Sequence, residues 1–138
     1  MTKTLDFKFE RTILASPGEV FDAWMNPEVP GTTWQKAEKF KLDVKVDGLY
    51  YWHINGKSIY GRFTEIERPS RIQYTWVSPN TLGLESTVTV TFSKKGESTL
   101  MTLQHSGLPD HELAMGHEKG WTHFLDIFPN QFGMRKSF

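Results

Sequence analysis

Histidine is the residue type in this sequence best suited to acid–base chemistry near neutral pH, since its ordinary pKa is about 6.5. The chain has five histidines, and His105 follows Met101 and Leu103 at alternate positions of an apolar run. Such alternation puts all three side chains on one face of a predicted strand. His105 could therefore bind a polar group of a ligand or act as a base, or it could be a buried histidine whose nitrogens bond to neighbouring groups.

Three further histidines, His111, His117 and His123, lie six residues apart in a segment with helical periodicity. Two metal ligands on one helix face are four residues apart, whereas a spacing of six turns successive side chains about 240° around the axis. We therefore expect exposed or capping histidines here and predict no metal site.

Other signatures of catalysis or cofactor binding are weak. Gly56-Lys57-Ser58 matches the end of a phosphate-binding loop, but Tyr51 stands where that loop needs its first glycine. No Gly-x-Ser-x-Gly motif appears and no pair of carboxylates stands out. The sequence therefore assigns no catalytic residue, predicts no cofactor and favours a binding protein over an enzyme.

A charged residue lies on the apolar face of the first predicted strand, where Arg11 precedes Ile13 by two positions. A buried cation needs a partner, because removing its water alone costs several kcal/mol. Glu65 is the candidate partner, or a carboxylate in a pocket if Phe63 and Glu65 face inward. We favour a structural ion pair over a pocket carboxylate.

Aromatic residues make up 14% of the chain, a share that suggests a large apolar interior or an aromatic-lined pocket. Tyr74 and Trp76 share a face of one predicted strand, and Tyr50 and Trp52 share a face of an earlier one. Aromatic rings with a polar tip suit a pocket that orients a mostly apolar ligand, but they also suit an ordinary core. The candidate ligand-binding residues are Trp34, Trp52, Tyr74, Trp76, Met101, His105, Trp121 and Phe124.

The elements that position these residues follow from local patterns. Residues 5–13 alternate as a strand, and Ser16-Pro17-Gly18-Glu19 predicts a capped helix that stops at Asn26-Pro27. From residue 37 onward, period-two runs predict six more strands, the first over residues 39–46. Asp47-Gly48 and Asn55-Gly56 are hairpin signals between them.

The chain closes with a predicted helix of about 18 residues whose apolar side chains recur at three- and four-residue steps. Asp110 is its candidate cap, Pro129 should end or kink it, and a loop is expected beyond. Gly116 and Gly120 would let a strand or a ligand come close to one face. The predicted fold class is α+β, a curved antiparallel sheet around this helix, with one or two short helices after the first strand.

Length and composition limit the function classes. A chain of 138 residues is predicted to be a single domain, with a core over about residues 5–128 and a tail at 129–138. Sixteen basic and 16 acidic residues balance, which does not favour a nucleic-acid partner. Without cysteine there is no disulfide, and without a long apolar stretch no signal peptide or membrane span is predicted. We expect a cytoplasmic protein.

Several motifs, taken in order, resemble one known superfamily. They are Glu10-Arg11-Thr12-Ile13, the 16–24 helix opening, Asp47-Gly48, the 61–76 hairpin with Pro69, His105-Ser106-Gly107-Leu108 and Gly120-Trp121. Together they resemble the helix-grip (START-like, SRPBCC) superfamily, which includes Bet v 1-like proteins and polyketide cyclases. Within it, the chain is similar to the family related to the C-terminal domain of the Hsp90 ATPase activator. The resemblance spans residues 5–128, and it departs from the family's frequent double glycine at Asp47-Gly48 and from its longer final helix at Pro129.

The residues and the resemblance together lead to three hypotheses of function. The first is binding of a small, mostly apolar molecule in a cavity between the sheet and the closing helix. The second is a protein-interaction module, as the Hsp90 activator implies. The third is a cyclase- or hydrolase-type enzyme that uses His105 or Glu65 as acid or base.

Overall fold

The alternating runs of the sequence form seven antiparallel strands. The computed structural model describes residues 4–34 and 37–133. Its strands are β1 (Thr4–Ile13), β2 (Lys39–Leu42), β3 (Leu49–Ile54), β4 (Lys57–Glu67), β5 (Arg71–Trp76), β6 (Ser86–Lys95) and β7 (Ser98–Pro109). They form one sheet in the order β1-β7-β6-β5-β4-β3-β2. Strands β2 to β7 are thus a meander, β1 pairs with the last strand, and the predicted α+β class is confirmed.

The helices are α1 (Pro17–Trp24), α2 (Glu112–Met115), α3 (His117–Ile127) and α4 (Asn130–Gly133), with a 3-10 turn at Pro79–Thr81. The predicted capping box is present: Ser16 Oγ accepts the Glu19 N–H, and Glu19 Oε1 accepts the Ser16 N–H, both at 3.3 Å. This box fixes where α1 begins.

The closing helix differs from the single helix of about 18 residues that the pattern predicts. It is interrupted at Gly116, whose N–H bonds to Leu113 O, three residues back, at 3.3 Å. Glycine has the lowest helix propensity apart from proline, so an interruption of the helix at Gly116 is the least costly one. Pro129 ends α3 as predicted. The loop predicted beyond Pro129 is wrong, because residues 130–133 form the short helix α4. The rest of the predicted tail lies outside the described residues.

Strand β2 is shorter than predicted because residues 43–48 fold back on another strand. Asp47 N–H donates to Phe63 O of β4, and Phe63 N–H donates to Gly48 O, at 2.8 and 2.9 Å. A Cβ at Gly48 would collide with the carbonyl oxygen of Asp43, so this turn requires glycine. The Asn55-Gly56 hairpin is confirmed, with φ of 51° and 77° at its two turn residues.

The inner face of the sheet carries the core. Tyr50 and Trp52 of β3 face inward and are 1% and 4% exposed. Helix α3 covers this face with Trp121 and Leu125, and α1 packs Phe21 against Phe92 with ring centroids 5.4 Å apart. The core is therefore built by both helices against one face of the sheet.

The predicted pairing of Arg11 with Glu65 is wrong. Arg11 of β1 pairs with Asp126 of α3 at 3.2 Å, and Glu65 pairs with Arg71 of β5 at 2.8 Å. The β4–β5 register shifts between Phe63 and Glu65. This bulge ends the strict inward–outward alternation, so Phe63 is fully buried while the Glu65 carboxylate is 44% exposed.

Candidate functional site

A pocket of about 450 Å³ lies between the β3–β4 hairpin and helix α3. Its apolar walls are Trp52, Ile54, Ile59, Trp76, Trp121 and Phe124. Its polar lining groups belong to Asn55, Lys57, Ser78, Asn80, His117 and His123, and Gly116 and Gly120 complete it. A concave, mainly apolar pocket of this volume with a few polar groups is typical of a small-molecule site.

The local structure explains why these residues meet. Trp52 of β3 and Ile59 of β4 are register partners across the Asn55-Gly56 hairpin, so their side chains lie on one face of the sheet. On the other wall, His117, Gly120 and Trp121 are three and four residues apart, so they share one face of α3. The pocket is the gap between these two faces.

Gly120 keeps this gap open. A Cβ placed at Gly120 would meet no heavy atom within 4 Å, other than its own chain neighbours and helix backbone. Close packing is therefore not the reason for a glycine at this position. Its missing side chain instead leaves open space at a residue that lines the pocket.

Trp76 is the centre of the aromatic wall. Its ring centroid lies 5.8 Å from that of Trp52 and 5.2 Å from that of Trp121, in edge-on and tilted arrangements. Such arrangements are the favoured ones for aromatic pairs. The wall thus joins the β3–β4 hairpin, β5 and α3 through three indole rings.

His105 lies behind this wall and bonds through both ring nitrogens. Its Nδ1 accepts the Trp121 indole N–H at 3.0 Å, so its proton is on Nε2. Nε2 lies 2.8 Å from Ser86 Oγ, and Ser86 Oγ donates to the carbonyl oxygen of Trp76 at 2.9 Å. The three bonds are mutually consistent only with a neutral His105 that donates to Ser86.

His117 makes the corresponding arrangement from α3. Its Nε2 accepts the Trp76 indole N–H at 3.2 Å, and its Nδ1 donates to Ala114 O at 2.8 Å. The rings of His105 and His117 have centroids 5.0 Å apart. Two of the three indoles in the wall, those of Trp76 and Trp121, are therefore each held by a histidine, and the two histidines pack against each other.

Burial keeps both imidazoles neutral. It lowers the pKa of His105 well below its ordinary value, and the neighbouring His117 lowers it further. Burial also lowers the pKa of His117; the hydrogen bond to Ala114 opposes this shift and the charge of Lys57 adds to it. Neither ring has a nitrogen lone pair free to take a proton from a substrate, so the arrangement is one of support rather than of general-base catalysis.

The eight candidate ligand-binding residues fall into two groups. Trp52, Trp76, Trp121 and Phe124 line the pocket. Trp34, Tyr74, Met101 and His105 are buried in the packed interior and do not line it. Strand alternation places Trp52, Tyr74, Trp76, Met101 and His105 on the inner face, whereas Trp121 and Phe124 lie on α3 and Trp34 lies in the segment after α1.

His117 is the site residue that the sequence interpretation missed. It was expected to be exposed or capping, but it is 9% exposed and bonds to Trp76. Its position four residues before Trp121 on α3 was the available signal, because that spacing shares a helix face. The expectation is correct for His111, which caps α2 by accepting the Leu113 N–H at 3.1 Å, and for exposed His123.

Neither a metal site nor a membrane span appears within residues 4–34 and 37–133. That part of the chain has no group of three or more His, Asp or Glu side chains placed to hold a metal ion. None of its helices is both long enough and apolar enough to cross a membrane.

The helix-grip class of protein has an antiparallel sheet, a closing helix across its inner face and a pocket between the two. This chain has all three features. Residues 14–133 match the model of the family described as Activator of Hsp90 ATPase homolog 1-like protein. The chain belongs to this family, as the resemblance of its motifs predicts. No curated protein matches the chain.

Solved structures share the fold over nearly the whole chain. A protein from Mesorhizobium loti has a TM-score of 0.79 at 22% identity, covering 97% of this chain and 100% of its own. An HSP90 activator from Plasmodium falciparum has a TM-score of 0.73 at 28% identity, covering 88% and 91%. The Aha1 dimer from Colwellia psychrerythraea has a TM-score of 0.76 at 13% identity, covering 96% and 99%.

Proposed function

We propose that this protein binds a small, mostly apolar molecule in the pocket between the β3–β4 hairpin and α3. The observation that carries the proposal is the open space beside Gly120, bounded by the rings of Trp52, Trp76 and Trp121. An apolar body in this space would remove aromatic surface from water on both sides, at about 25 cal/mol per Å² of apolar area. Both ring nitrogens of His105 and of His117 are already hydrogen-bonded, which supports a binding role over an enzymatic one. A cytoplasmic location remains a prediction.

Filling the space should abolish binding. We expect the wild-type protein to bind N-phenyl-1-naphthylamine, a neutral apolar fluorophore, with micromolar affinity, and Gly120→Leu to weaken this binding at least about ten-fold. The measurement is a fluorescence titration at pH 7.5. Lys119→Leu adds the same side chain to α3 at a position that does not line the pocket, so it is the matched control.

Equal affinity in the wild type and Gly120→Leu would contradict the proposal, as would no binding by the wild type. A complementary measurement identifies the natural occupant. Native mass spectrometry of the protein purified from its host should show an added mass that disappears on denaturation.

A second function, interaction with an Hsp90-type chaperone, is supported by the family and by one surface feature. On the outer face of the sheet, Leu49 and Tyr60 are 67% and 50% exposed, and Tyr51 lies between them in the pairing of β3 with β4. Exposed apolar residues that lie together are typical of protein-binding surfaces. This face is opposite the pocket, so the two functions do not compete for the same residues.

Changing the charge of this outer face should remove the interaction. If the protein stimulates the ATPase activity of its host's Hsp90, we expect Leu49→Lys to abolish most of the stimulation. Leu84→Lys is the matched control, because Leu84 is 54% exposed in a loop away from the β3–β4 hairpin. The result against this function is a wild-type protein that leaves the ATPase rate unchanged, or an effect that Leu49→Lys does not reduce.

A further inference from the structure

The charges around the pocket are one-sided. Lys57 lines it, and no Asp or Glu is among the described residues that do so. The carboxylate of Glu38 reaches the same hairpin, where it accepts the backbone N–H of Asn55 at 3.1 Å, but Glu38 is not a lining residue. A cleft lined by charge of one sign concentrates ligands of the opposite sign.

Lys57 has no ion-pair partner within residues 4–34 and 37–133. The acidic side chains of that part of the chain that form ion pairs do so with Arg11, Lys45, His53, Arg62, Arg68 and Arg71. Lys57 is an exposed residue that lines the pocket, so its side chain belongs to the part of the pocket open to solvent. Its charge nevertheless acts on the inner wall, since it contributes to lowering the pKa of His117.

From the unpaired Lys57 and the aromatic walls of the same pocket, we infer that the pocket takes an aromatic acid: a planar apolar body that carries one anionic group. The apolar body lies against the indole rings, and the anionic group lies beside Lys57. This inference rests on the proposed binding function and adds to it the chemical class of the ligand.

Two fluorophores with the same aromatic body test the inference. N-phenyl-1-naphthylamine is neutral, and 8-anilinonaphthalene-1-sulfonate is the same molecule with one sulfonate. We expect the wild-type protein to bind the sulfonate more tightly. In Lys57→Gln the ratio of the two affinities should fall about five-fold, and in Lys57→Glu it should fall further, because a charge at the opening then repels the anion.

Two control variants isolate the position of the charge. Lys57→Arg keeps the cation and should keep most of the ratio. Lys94→Gln removes one positive charge at the β6–β7 hairpin and should leave the ratio unchanged, since Lys94 does not line this pocket. Raising the salt concentration should weaken binding of the sulfonate and not of the neutral probe.

The possible results separate the inference from the function on which it rests. If the neutral probe binds and is excluded by Gly120→Leu, but Lys57→Gln leaves the affinity ratio unchanged, the pocket is a binding site and the inference of an acid is wrong. If neither probe binds, or if Gly120→Leu excludes neither, both the inference and the proposed function are wrong.

Discussion

Replacing Trp121 by alanine is expected to lower the free energy of unfolding by about 3–5 kcal/mol, the range for loss of a large buried aromatic side chain. Trp121 is 2% exposed, and its ring centroid lies 6.3 Å from that of Trp24 and 5.2 Å from that of Trp76. Alanine would also leave His105 Nδ1 as a buried acceptor with no donor. Since a domain of this size is stable by only about 5–15 kcal/mol, the loss is a large part of the total.

Urea unfolding followed by far-ultraviolet circular dichroism at pH 7.5 measures this loss. Trp121→Phe keeps an aromatic ring but no N–H, so we expect an intermediate loss, and this variant keeps the test available if the alanine variant does not fold. Phe124→Ala, three residues further along α3 and only half-buried, should cost clearly less. Equal losses of unfolding free energy at Trp121 and Phe124 would contradict the prediction, since they would mean that Trp121 is not the main contact of α3 with the sheet.

The second large effect is a loss of stability in mild acid. In the folded protein His105 and His117 are neutral, whereas in the unfolded chain a histidine takes up a proton at about pH 6.5. Below that pH the unfolded state binds more protons than the folded state, so the free energy of unfolding falls as the pH falls. The slope reaches up to about 1.4 kcal/mol per pH unit for each of the two histidines between its folded-state pKa and about pH 6.5, and it fades over about one pH unit above 6.5.

The geometry gives the reason for this loss. A proton added to His105 would go to Nδ1, which faces the N–H of Trp121, and one added to His117 would go to Nε2, which faces the N–H of Trp76. Each addition replaces a hydrogen bond by two opposed donors. Protonation therefore breaks the contacts that hold the pocket wall.

Urea unfolding at several pH values between 5.2 and 6.5 checks this prediction, in a range above the ordinary pKa values of carboxylates. The double variant His105→Gln with His117→Gln should lose most of the slope, because neither glutamine titrates. His123→Gln changes an exposed histidine of the same helix and is the control. A slope that the double variant retains would mean that other groups cause the acid sensitivity.

The features that the sequence predicts well are those that local chemistry decides. Ser16 and Glu19 cap α1 through bonds three residues apart, and Asn55-Gly56 forms a turn because both residues tolerate positive φ. Strand alternation likewise places Tyr50 and Trp52 on one common face. None of these outcomes depends on residues far away in the chain.

The features that the sequence misses depend on distant partners. Residues 43–46 alternate like a strand, yet they do not extend β2, because the next two residues, Asp47 and Gly48, bond to the backbone of Phe63. The burial of His117 depends on Trp76, which is 41 residues away. Local periodicity likewise cannot distinguish a pocket residue from a core residue. Trp76 lines the pocket and Tyr74 is buried in the interior, yet both lie on the same face of β5.

The pairing of β1 with β7 sets an order of events during synthesis. Ile13 is the register partner of Thr99, and Thr4 is that of Pro109, so β1 emerges from the ribosome about 90 residues before its partner. At the usual 5–20 residues per second this delay is about 5–20 s. During that time Phe7 and Phe9 have no strand to pair with, and the sheet can be completed only after β7 has emerged. Strand β1 is thus the segment of the nascent chain that most needs protection from aggregation.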